Sequence, residues 1–149
     1  MNKKEAAQVL AILHSSYPNF YKTLTEETAQ GVVSVWSLQF SDISADIVLM
    51  AINKLISTSK YPPTIAEIKE KLSGLYWEAF EKLYIPLGLN GGLTEEERAL
   101  YHRIYNETER YKNPDRIEPT ISEIFGEARA LTEREAETQR KKQTKALEN

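Results

Sequence analysis

The chain has no cysteine. That excludes disulfides, thiolate metal sites and cysteine nucleophiles, and it fits a reducing compartment. It has no apolar run near the roughly 20 residues that cross a bilayer. Nor is positive charge in excess: 19 Lys and Arg stand against 22 Asp and Glu, a net charge of −3. A protein whose main work is gripping phosphates carries a basic surplus instead. Histidine is scarce too. His14 and His102 are far apart, and neither sits in an HxxxH or HExxH spacing. The glycine-rich stretch LGLNGG, from Leu87, is followed by no Lys-Ser or Lys-Thr pair to meet phosphates and magnesium, so ATP hydrolysis is not expected. Carboxylates are plentiful but fall mostly in the first turns of helices, as at Glu95, Glu96 and Glu97, where they read as solvated caps. Nothing assembles a nucleophile, a base and a group to orient it. The expectation is a protein that is not an enzyme and needs no metal or cofactor.

What is present is helical periodicity almost throughout. The 149 residues, 41% hydrophobic and 28% charged, suit one soluble domain, or a small domain with an appendage. Ala6, Val9, Leu10 and Leu13 mark a first helix over about Lys3 to Ser15. Glu5 and Gln8 interrupt its apolar stretch, so it reads as an ordinary helix and not a signal peptide. Tyr17-Pro18-Asn19 ends it. Thr25 opens a second helix, with Val32, Val33, Trp36 and Phe40 as its buried stripe. Ser44 caps a third, whose Ile47, Val48, Ala51, Ile52, Leu55 and Ile56 place it at the centre of the core. The fold expected is all-α: a compact bundle of about six helices with a frayed C-terminal tail.

A helix-start cassette follows. In PPTIAEI, Thr64 at the N-cap and Glu67 at the third helical position form a capping box. Pro63 and Ile68 flank it as a hydrophobic staple, and Pro62 keeps Tyr61 extended. The pattern recurs at Pro119, where Thr120 and Glu123 repeat the cap. Shared capping chemistry explains the recurrence; an internal duplication is the alternative. The fourth helix carries Leu72, Leu75, Tyr76, Ala79 and Leu83, with Trp77, Phe80 and Tyr84 as a second, aromatic stripe, and Gly74 weakens its middle. Thr94 and Glu97 cap a fifth, with Leu100, Tyr101, Ile104, Tyr105 and Tyr111 on its apolar face.

The organisation expected is a helical N-terminal domain over residues 1–84, a linker over 85–93 rich in Pro and Gly, a helical hairpin over 94–131, and a mobile tail over 132–149. The tail holds the one basic run, Arg140-Lys141-Lys142 with Lys145. It reads either as a solvated helix end or as a docking or phosphate contact. Candidate partner-binding residues are Arg129, Leu131, Arg134, Arg140, Lys141, Lys142 and Lys145, together with Trp77, Tyr101 and Tyr105. The residues expected to be structural are Trp36, Tyr61, Pro62, Pro63, Thr64, Glu67, Ile68, Thr120 and Glu123.

The stretch YPNF, then VWSLQFSDISADIVLMAINKLISTSKYPPTIAEIKE, resembles the phage-encoded replicative-helicase loader/inhibitor family over about residues 3–72. The features that carry the resemblance are Tyr17-Pro18, Trp36 and the element from Ser59 to Ile68. It implies a small helical N-terminal domain followed by a mobile region that contacts the helicase. Such proteins hold the hexameric helicase, restrain its ATPase and unwinding, and deliver it to an origin with an origin-binding partner. The resemblance also implies the cytoplasm of a bacterial host, a phage or prophage origin, and no membrane partner. A nucleic-acid-binding replication or regulatory module, with DNA touched through the basic run, is the alternative function.

Overall fold

The computed structural model describes residues 1–84, 92–113, 115, 133–134, 136–138 and 140–141. Among them all regular structure is helical: α1 (Lys3–Ser16), α2 (Glu26–Gln39), α3 (Ala45–Ile56), α4 (Ile65–Tyr84) and α5 (Glu95–Thr108), the last prolonged by a single 3₁₀ turn over Glu109–Tyr111. The all-α expectation holds. The linker at 85–93, described only at its last two residues, the helix expected from Pro119 to Leu131, and most of the tail lie outside the described residues. No helix of the described residues is long and apolar enough to cross a membrane.

Three of the helices start at a local capping box. Thr64 and Glu67 form the anticipated box: the Thr64 N–H donates to the Glu67 carboxylate at 2.7 Å, and the Glu67 N–H donates to the Thr64 hydroxyl at 3.2 Å. Thr94 and Glu97 repeat it at 2.8 and 3.2 Å. Asn2 and Glu5 make a third box, on α1, less conspicuous in the sequence because Asn opens it in place of Thr. Pro63 and Ile68, the expected staple, are both buried. Ahead of α1, the Met1 ammonium donates to two carbonyls of the turn between α2 and α3, that of Phe40 at 2.8 Å and that of Ile43 at 2.6 Å.

The core forms because apolar stripes at helical spacing turn inward together. Ala6, Val9 and Leu13 of α1, Ile47, Val48, Ala51 and Ile52 of α3, and Ile68, Leu72 and Ala79 of α4 are fully buried. Burying each larger aliphatic contributes about 1.5–3 kcal/mol. Trp36 and Phe40 join them from α2, their rings 5.8 Å apart, while Val32 and Val33 are only half-buried. α1 packs on α2 and α3, and α4 packs on α3 and α5. Ile104 of α5 belongs to the same cluster as Leu13, Ile47 and Leu72. Helix α5 is therefore part of this core and not a separate layer. Leu100, expected on its apolar face, is exposed instead.

Polar groups tie α5 to the start of α3. Ser44 takes the N-cap position as expected but makes no side-chain cap bond. Its N–H and hydroxyl both donate to the Glu107 carboxylate. Arg103 pairs with Asp46, and Arg110 with Asp42. Burial pushes the Asp46 carboxyl up. The polar Ser44 side chain, the hydrogen bond and charge of Arg103 and the Ile47 N–H outweigh that, and hold it below the usual carboxylate range.

Candidate protein-docking surface

The two stretches that carry the family resemblance meet in space. Tyr17 ends α1, its N–H donating to the Leu13 carbonyl. From there the chain turns tightly, with the Phe20 N–H donating to Tyr17 and the Leu24 N–H to Tyr21. The Tyr17 hydroxyl reaches across and donates to the Ser59 carbonyl at 3.1 Å. Ser59 in turn organises the segment leading to α4: its hydroxyl donates to the Tyr61 carbonyl at 2.9 Å, and the Tyr61 N–H donates back to that hydroxyl at 3.3 Å. Pro18, Pro62 and Pro63 fix φ along both segments. The result places Phe20 against Tyr61, ring centroids 5.5 Å apart and planes at 79°.

Neither ring is buried. Phe20 is 52% exposed and Tyr61 65%. Tyr61, expected to be structural, stands on the surface, because the extended backbone that Pro62 imposes aims its side chain away from the core. Phe20 is not among the residues that helical patterning marks. The signal that could have found both is their place inside YPNF and KYPPT, each rich in aromatic and proline residues with no helical period to explain them.

Behind the same loop lies an apolar groove of about 290 Å³ between α1 and α2. Leu10, His14, Tyr21, Leu24, Val32 and Val33 form its walls, and the small side chains Ala7, Ala11 and Ala29 let it exist. His14 sits 5.7 Å from Tyr21, ring to ring. Burial first, and then the neighbouring Tyr17, push the Tyr21 hydroxyl above its ordinary range.

The aromatic residues expected to face a partner do something else. Trp77 is 1% exposed and packs edge-on against Tyr76 and Phe80 at 5.2 and 5.8 Å. It has no surface to offer. Tyr105 stacks on Tyr76 at 4.9 Å and meets Tyr84 at 5.4 Å, so it belongs to a seam between α4 and α5. Tyr101 is half-buried against the core. The Lys112 ammonium lies over the Trp77 ring at 5.2 Å, closing one end of the seam. The burial of this stripe has a simple cause. The second stripe on α4 is the contact face for α5, and a single helix cannot reveal whether its partner lies inside the chain or outside it.

Of the basic candidates, Arg134, Arg140 and Lys141 are exposed, and Lys141 pairs with Glu137 at 2.7 Å. Arg129, Leu131, Lys142 and Lys145 lie outside the described residues, as do Thr120 and Glu123 of the second cassette. Among the described residues no three His, Cys, Asp or Glu side chains converge as metal ligands. His102 stands edge-on to Tyr84.

No curated protein and no solved structure matches the chain. Residues 1–69, which span α1 to the first turns of α4 and hold both segments of the Phe20–Tyr61 surface, match the family model for the N-terminal domain of the phage gene-39 protein, a helicase-binding protein.

Proposed function

We propose that the protein is a replication accessory factor that binds a replicative, hexameric helicase of the DnaB type. It loads or restrains that helicase without catalysis of its own, in the cytoplasm of a bacterial host. An origin-binding replication protein is the second partner of such a factor. The observation that carries this reading is the match of residues 1–69 to the N-terminal domain of the helicase-binding phage protein. Two physical features support it. The described residues present a rigid exposed aromatic pair, of the kind enriched where proteins dock. Several of their ionisable side chains serve in helix caps and in ion pairs between elements.

The test is to mix the purified protein with a DnaB-type helicase, measure complex formation by sedimentation, and follow the helicase's ATPase rate. A complex with an altered ATPase rate is expected. No complex at micromolar concentration discards the reading.

A further inference from the structure

We propose that the Phe20–Tyr61 surface captures an acidic segment of the protein partner, one that offers an apolar side chain flanked by carboxylates. This rests on the reading that the protein works by binding another protein. The first argument is mechanical. Both rings are more than half exposed, yet the segments that hold them are fixed by the Tyr17–Ser59 hydrogen bond, the Ser59–Tyr61 turn and three prolines. Aromatic side chains held this way lose little freedom on docking, so more of the contact energy survives as affinity. Leaving two such rings in water has no benefit to the core, which closes without them.

The second argument is charge. Residues 15–25 and 57–64, which build this surface, contain Lys22 and Lys60 and no Asp or Glu. Both lysines are exposed. The nearest carboxylates along the chain are Glu26 and Glu27, which open α2, and Glu67, which is committed to Thr64. On a chain of net charge −3 these two segments are positive and carry no carboxylate of their own. They complement a segment that carries carboxylates beside an apolar anchor.

A nucleic acid strand is the weaker fit. Single-strand platforms stack successive bases on ring faces. Here the two rings meet at 79°, which leaves no pair of parallel faces. The overall negative charge also repels a dense polyanion more than a short acidic peptide.

The experiment uses the full chain, with a DnaB-type helicase as one probe and a fluorescent oligo(dT) as the other. Two double variants are compared with the wild type: Phe20→Ala with Tyr61→Ala, and Lys22→Glu with Lys60→Glu. All four side chains are exposed, and circular dichroism checks that each variant keeps its helices. Both variants are expected to bind the helicase roughly tenfold more weakly or worse. The wild-type affinity should fall with added salt, and the charge-reversed variant should lose that dependence. Oligo(dT) should not bind. Helicase binding unchanged in both variants overturns the inference while the functional reading stands. Oligo(dT) binding that the Phe20/Tyr61 variant abolishes also overturns it, in favour of a single-strand site. A wild-type chain that forms no helicase complex overturns the inference and the reading together.

Discussion

Glu107 accepts two hydrogen bonds from Ser44, 63 residues earlier in the chain: one from the backbone N–H at 2.7 Å and one from the hydroxyl at 2.6 Å. The site is partly buried, and the bonds are charge-assisted. Replacing Glu107 with Ala leaves the Ser44 N–H at the entry to α3 without this acceptor. The variant should lose about 1–3 kcal/mol in urea unfolding. A loss indistinguishable from zero would mean that these two bonds contribute nothing net, leaving α5 to its apolar face and the Arg103–Asp46 and Arg110–Asp42 pairs.

Acid should loosen the fold from its helix starts. Backbone and side-chain hydrogen bonds from Thr64 lower the Glu67 pKa, those from Thr94 lower that of Glu97, and the Ser44 and Arg103 contacts lower that of Asp46 against the effect of burial. In each case the unfolded chain binds the proton more tightly than the folded one, so stability rises with pH across the titration. The contribution is fully present above the unfolded carboxylate range, about pH 4 to 4.5, and disappears as pH falls through the lowered folded values. A melting temperature that is flat above about pH 5.5 and drops below about pH 4.5 is expected. The Glu67→Gln, Glu97→Gln double variant should show a shallower drop. Parallel curves for variant and wild type would contradict this.

Gly74 lies inside α4 and Gly31 inside α2, and a Cβ added at either meets nothing within 4 Å. Neither has a backbone that requires glycine. Gly74→Ala and Gly31→Ala should each stabilise by about 0.5–1 kcal/mol, because alanine costs less entropy on entering a helix. Urea midpoints that move downward would show strain not visible in the backbone.

Trp77 and Trp36 are both core residues, at 1% and 7% exposure. Each Trp→Ala change should cost about 3–5 kcal/mol. For Trp77 this separates an internal seam from a docking face: a partner-facing tryptophan would change binding and leave the melting curve where it was.

The apolar core among the described residues draws on nothing beyond Tyr111. Deleting residues 132–149 should leave the melting temperature within a few degrees and weaken helicase binding through loss of the basic run. If the truncated chain binds as tightly as the full one, the basic run has no part in docking, and binding falls to surfaces such as Phe20–Tyr61.

The amino-acid sequence alone determined where these helices begin. A capping box needs only a hydroxyl or amide and a carboxylate three residues apart, so Thr64 with Glu67 and Thr94 with Glu97 could be read directly. It determined the inward stripes of α1 and α3 as well, since a period near 3.6 marks a face whatever that face meets. The fold class followed from the same periodicity, and the family resemblance from the order of a few residues around Tyr17, Trp36 and Ser59–Ile68. Tertiary structure decided what each remaining face meets. Tyr76, Phe80 and Tyr105 lie in a seam because α5 covers α4. Ser44 gives up its cap bond because Glu107 lies within reach. Phe20 and Tyr61 become one surface because a hydroxyl of Tyr17 finds a carbonyl 42 residues on. Such pairings depend on how the helices pack against one another, and no local spacing in the chain encodes them.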